Sequence, residues 1–138
     1  MTDSTRSPAP SPDARSSALA DLYAEDRREH AAVPPVGTPE YRALRERDHQ
    51  RRHRAGDLLA SLEASGASSA EDLYHAAWLF NHGDQPAEAR RAHELAREAA
   101  ERAQGRDRAL GFRGRRGALV FTSMLRRVVK RANTRAPS

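Results

Sequence analysis

The sequence predicts an all-α fold: a small bundle of three to five helices around an antiparallel helical hairpin, with disordered termini. Three observations predict it. Apolar residues recur at three-and-four spacing between residues 17 and 104, helix stops and caps divide that stretch at Val33 to Gly37, Gly66 and Gly83, and a stripe of alanines lets two helices approach closely. With 138 residues, three Phe, three Tyr and one Trp, the core has to be Leu and Ala with a few aromatic anchors. This defines three regions: a disordered tail over residues 1–16, a helical domain over 17–104, and a basic Arg/Gly-rich tail over 105–138.

Taken in order, the first sixteen residues mix Pro, Ser and charge and cannot bury enough apolar surface to fold. A helix is expected from an N-cap at Ser17 through Leu19, Leu22 and Tyr23 to about Ala32, where Val33-Pro34-Pro35-Val36-Gly37 stops it. Thr38 can cap the next helix, with Pro39 at its first position, where the missing N–H costs nothing. That helix runs to about Ala64. Its ends carry Tyr41, Leu44, Leu58, Leu59 and Leu62, its middle from Arg45 to Arg54 is almost wholly charged, and Gly66 supplies a left-handed stop.

The hairpin occupies Asp72 to Gln104. Ser68 and Ser69 each precede an acid by three residues, Glu71 and Asp72, which is capping-box spacing. Leu73, Ala76, Ala77 and Phe80 share one face of the helix that follows, with Tyr74 and Trp78 beside it. Gly83 ends that helix, Asp84 is placed to cap the next, and Ala89, Ala92, Ala96, Ala99, Ala100 and Ala103 form the small-residue stripe. The two helices should meet around Trp78, Leu79 and Leu95, and the stripe could also accept a partner helix.

Charge is distributed unevenly. Residues 1–104 carry 14 Arg against 18 acidic residues, net −4, whereas residues 105–138 carry nine Arg and Lys130 against Asp107 alone, net +9. The tail contains Arg113, Arg115 and Arg116 in an RGRRG run. An amphipathic helix is expected over 118–132, with Arg126, Arg127, Lys130 and Arg131 opposite Phe121, Met124, Leu125, Val128 and Val129. Such a segment can hold nucleic-acid phosphates by counterion release, or less readily lie on an anionic membrane.

With no cysteine, disulfides, thiolate metal sites and thiol nucleophiles are excluded. No apolar run approaches membrane-spanning length and no hydrophobic leader is visible, so the expected product is a soluble, cytoplasmic protein. Gly-rich phosphate loops, nucleophile elbows and triad-like constellations are absent, so catalytic residues and cofactors are expected to be none. Two clusters carry possible chemistry. His75 and His82, seven residues apart, together with His93 on the facing helix, could converge on a metal with Asp72 or Glu94. Asp26-Arg27, Asp48, Arg51 and Arg52 could form a polar cluster between the first two helices, either lacing the bundle with salt bridges or binding an anion.

The hairpin pattern is similar to a single tetratricopeptide-type unit. A closer resemblance rests on Asp72, Tyr74, Ala76 and Ala77, then His82-Gly83 with Asn81 in place of Gln, then Ala92-His93-Glu94-Leu95-Ala96. These positions resemble an uncharacterised family of short bacterial helical proteins with the pattern D-x-Y-x-A-A, Q-H-G, A-H-E-L-A. Asp26-Arg27 and Asp48 followed by Arg51 and Arg52 also match, so the resemblance spans roughly residues 20 to 103. It implies a helical fold and no known activity. Beyond Ala103 the family's W-L-x-A helix and terminal Q-x-x-G-T-Q are missing, which raises the hypothesis of a change of reading frame near codon 104. The expected function is a non-enzymatic helical interaction or structural module with an unknown protein partner. Nucleic-acid binding through the tail is the alternative, and a small metal protein or enzyme ranks behind both.

Overall fold

The computed structural model describes residues 10–109, with side chains as far as Gly105. Four helices follow one another: α1 (Pro12–Glu29), α2 (Pro39–Ala64), α3 (Ala70–Phe80) and α4 (Pro86–Ala109). No strand occurs among the described residues, and no helix there is long and apolar enough to cross a membrane. α3 packs most extensively on α4, while α1 and α2 pack on each other and on α3. The all-α hairpin-centred bundle is therefore what the chain forms.

Local signals set most of the boundaries. The Thr38 side chain accepts from Tyr41 N at 3.1 Å with Pro39 beside it, opening α2 as the sequence predicts. A Schellman turn closes that helix: Gly66 has a φ of +67°, its N–H reaches Glu63 O at 3.1 Å, and Ala67 N reaches Leu62 O at 2.9 Å. Of the two possible capping boxes at α3, the chain uses Ser69 and Asp72. Asp72 N donates to Ser69 Oγ at 3.1 Å and Ser69 N donates to Asp72 Oδ2 at 2.9 Å. Ser16 on α1 also donates to that carboxylate, at 3.0 Å, tying α1 to the start of α3.

Several boundaries differ from expectation. α1 begins at Pro12, with Ser11 accepting from Ala14 N at 3.2 Å, so Ser17 lies inside the helix rather than capping it, and residues 12–16 are helical. Ser11-Pro12 is the same cap-plus-proline signal as Thr38-Pro39, and it outweighs the polar composition around it. α1 ends at Glu29 with His30 as its C-cap. Asp84 does not cap α4. It pairs instead with Arg45 of α2, and Gln85 O accepts the first amides of α4. α4 also continues through Gly105 to Ala109, since a single glycine costs a helix only about 1 kcal/mol relative to Ala. Residues 1–9, the helix expected over 118–132 and the seven basic candidates Arg113, Arg115, Arg116, Arg126, Arg127, Lys130 and Arg131 lie outside the described residues.

The core joins Leu19 of α1, Leu58, Leu59 and Leu62 of α2, Leu73 and Leu79 of α3, and Leu95 of α4, all buried. Ala92, Ala96 and Ala99 are buried in the same cluster. Most of the alanine stripe is thus used within the bundle, with Ala100 half-buried at its edge. The Leu ends of α2 sit in dry surroundings. Its middle is buried as well, and the residues buried there are Asp48, Arg51 and Arg52.

Candidate functional site

The polar middle of α2 faces a matching set of groups from α1 and from the turn after α3. On α1, Asp26 and His30 are one helical turn apart and share a face. Asp48 supplies the α2 carboxylate, and His82 lies just beyond α3, whose end at Asn81 turns the chain inward. Asp26 and Asp48 are almost fully buried, at 1% exposure each, and His82 retains 7%.

Each of these side chains is bonded across an element boundary. His30 Nε2 lies 2.9 Å from Asp48 Oδ1 and 3.8 Å from Asp26 Oδ2, while His82 Nδ1 lies 3.1 Å from Asp26 Oδ2. The remaining Asp26 oxygen accepts from Trp78 Nε1 at 3.0 Å. The two imidazoles lie against each other at a tilt of 34°, with ring centroids 4.1 Å apart. Arg51 Nη2 reaches Asp48 Oδ1 at 2.7 Å and Glu29 Oε2 at 2.8 Å, and Glu25 lies 3.4 Å from Arg51 Nη1. Arg45 spans Asp48 Oδ2 at 3.3 Å, the His82 carbonyl at 3.2 Å and the Asp84 carboxylate.

Electrostatics follow from this packing. Burial pushes the Asp48 carboxyl upward, but hydrogen bonds from His30 and Arg51, with the nearby charges of His30 and His82, outweigh it and hold it below the usual aspartate range. Burial likewise pulls Arg51 down, and its bonds to Asp48 and Glu29 more than restore it, leaving it above the ordinary arginine value. Both groups are therefore charged at neutral pH.

The turn carrying His82 is fixed from below. Arg52 donates to the His82 carbonyl at 3.3 Å and pairs through Nε with Glu88 Oε2 at 2.9 Å. A Cβ at Gly83 would come within 2.5 Å of Glu88 Cβ, so the close approach of turn and helix requires glycine there. A separate concavity of roughly 300 Å³ is lined by His49, Arg52, His53, Gly56, Phe80 and Glu88.

The histidine trio of the sequence reading is not assembled. Among the described residues, the grouping able to converge on a metal is Asp26, His30, Asp48 and His82, whose ligand atoms all lie within 4.8 Å of one another. His75 instead packs against the rings of Tyr23 and Tyr74, at centroid distances of 4.7 and 5.6 Å. Its Nδ1 is buried without a hydrogen-bond partner, as is Nδ1 of His93 on α4. Helical-face spacing misleads because α3 stops at Phe80, so His82 no longer follows the register of His75. Of the expected polar cluster, Asp26, Asp48 and Arg51 meet between α1 and α2, whereas Arg27 lies over the Tyr23 and Trp78 rings and Arg52 pairs with Glu88. His30 was missed, and the one signal for it was its i,i+4 spacing from Asp26 at a helix end.

No family model, curated protein or solved structure matches the chain.

Proposed function

We propose that the protein is a non-enzymatic helical module: a scaffold that fixes its own shape through the buried centre and offers its charged outer faces to a protein partner. One observation supports this above the others. Asp26, Asp48, Arg51 and His82, the side chains best suited to acid–base or anion chemistry, are all buried and each is bonded to a group from another element. A general acid or base has to reach a reacting atom, whereas these groups reach one another. Removing water from so many charges is costly, and their pairing fixes the register of α1, α2 and the α3–α4 turn in return.

The concentration of a +9 net charge in residues 105–138 favours a second reading, in which the tail binds nucleic acid through phosphate contacts and the bundle is its carrier. Affinity capture from native lysate, using the full chain and a chain ending at residue 104, separates the two. A protein partner kept by both chains supports the module. Nucleic acid captured in a steeply salt-dependent way and lost with the tail replaces it with the second reading. Capture of nothing by either chain at low salt overturns both.

A further inference from the structure

The geometry points to a binding site for one first-row divalent metal ion, Zn²⁺ by preference, formed by Asp26, His30, Asp48 and His82. This goes beyond the scaffold reading by giving the buried centre a ligand.

Convergence is the first argument. Four nitrogen and oxygen atoms from three separate elements lie within 4.8 Å of one another. For bonds of about 2.0–2.1 Å, ligand atoms around a tetrahedral metal sit about 3.4 Å apart. Three of the six separations, 2.9, 3.1 and 3.8 Å, bracket that value and none of the others exceeds 4.8 Å, so side-chain rotations bring the four atoms to bonding distance.

Charge is the second argument. The ion-pair network running through the centre joins five carboxylates (Glu25, Asp26, Glu29, Asp48 and Asp84) to three guanidiniums (Arg45, Arg47 and Arg51). Each arginine has an acid outside the centre: Arg51 has Glu29 and Glu25, Arg47 has Glu29, and Arg45 has Asp84. Imidazole binds a metal only in its neutral form, and in that form the network carries a surplus of two negative charges, which one divalent cation cancels. The donor set of two imidazoles and two carboxylates suits zinc, and the chain has no thiolate to compete.

The third argument is the support behind the ligands. Trp78 Nε1 holds the Asp26 oxygen other than the one nearest the histidines, and Arg45 holds Asp48 Oδ2. Each carboxylate thereby directs its other oxygen at the centre, which is how outer-shell donors orient metal ligands, and that oxygen of Asp48 also accepts from Arg51 Nη2 at 2.7 Å. Four protein ligands in buried surroundings leave no open coordination position, so the metal would clamp α1, α2 and the α3–α4 turn rather than activate water.

The test uses the full chain, stripped with a chelator and titrated with Zn²⁺ by calorimetry while thermal unfolding is followed in parallel. Binding of one equivalent per chain with micromolar or tighter Kd, and a rise in Tm, is expected. His30→Gln and His82→Gln should each weaken binding by about a hundredfold or more. Trp78→Phe should weaken it by about ten- to a hundredfold, and His75→Gln should leave it unchanged. Should a ligand variant fail to fold, Co²⁺ added to the stripped natural chain decides the matter, through the strong visible absorption of a four-coordinate nitrogen–oxygen site that Zn²⁺ then displaces. Absence of saturable Zn²⁺ binding, equal binding by folded His30→Gln and His82→Gln, or a Co²⁺ spectrum like that of the solvated ion would overturn the proposal.

Discussion

The two halves of this bundle are held by opposite means. α3 and α4 close on Leu73, Leu79, Leu95 and the alanines between them, all without charge. α1 and the middle of α2 close on Asp26, Asp48, Arg51 and His30, which are nearly all charge. Apolar burial is non-directional and scales with area, so the hairpin half tolerates small shifts of one helix along the other. Ion pairs between α1 and α2 at 2.8 and 2.9 Å do not tolerate them. The polar half therefore sets the register of the molecule, and the apolar half supplies its stability.

Matched truncations on the two sides should break that symmetry first. Asp48→Ala removes the buried carboxylate that Arg51 and His30 share and is expected to cost about 3–5 kcal/mol, as removal of one member of a buried pair does. Leu95→Ala, at a fully buried position, should cost about 2–5 kcal/mol. Denaturant unfolding at two pH values distinguishes them. The folded-state pKa of Asp48 is depressed, so its stabilisation is complete above the unfolded value of about 3.9 and is lost as pH falls through the folded value. The gap between Asp48→Ala and the natural sequence should close in acid, whereas the Leu95→Ala gap should not.

One link between the halves is Trp78, which lies on α3 and donates to Asp26 of α1. Trp78→Phe keeps much of the ring packing and removes that donor from a buried carboxylate. It should cost about 1–3 kcal/mol by thermal unfolding. A value near zero would mean that His82, His30 and Arg51 satisfy Asp26 without the indole.

What could be read from the sequence divides along the same line. Caps and stops are local, so Thr38, Gly66 and Ser69 with Asp72 could be placed from a few neighbouring residues. The apolar core could be placed from periodicity alone. Asp26, Asp48 and Arg51 could be grouped because each lies on a regular helix whose faces are countable. His30 and His82 could not be placed in that way, because both lie at helix ends where the helical period stops describing direction. Asp84 was misread for a related reason: a capping residue and an ion-pair partner look alike in sequence, and Arg45 lies 39 residues away. The donor role of Trp78 was hidden because an indole on an apolar face reads first as core.

His75 tests the seam between the halves through pH. It is partly buried against Tyr23 of α1 and Tyr74 of α3. Burial depresses its pKa, against the opposing charges of Asp72 and Glu71. A histidine with a lowered folded pKa contributes stability that is complete above its unfolded value of about 6.5 and is lost as pH falls from there through the folded value. Stability of the natural chain should therefore decline between neutral and mildly acidic pH, and His75→Gln should flatten that decline. A slope unchanged by the substitution would transfer the sensitivity to other groups.

The smallest expected effect has the opposite sign. Gly56 lies inside α2, where the polar middle gives way to the leucine end, and a Cβ added there would meet Phe80 Cζ at 3.6 Å, an ordinary contact. A helical glycine loses more backbone entropy on folding than alanine does, so Gly56→Ala should stabilise the chain by about 0.5–1 kcal/mol, read as a rise in Tm. The gain depends on α2 holding its present distance from α3 at this point. If the polar half sets that distance, the same substitution made together with Asp48→Ala should give a different increment, because the helix is then free to shift against Phe80. Equal increments in the two backgrounds would show that the leucine end of α2 keeps its own register, and that the ion pairs of the polar half govern α1 alone.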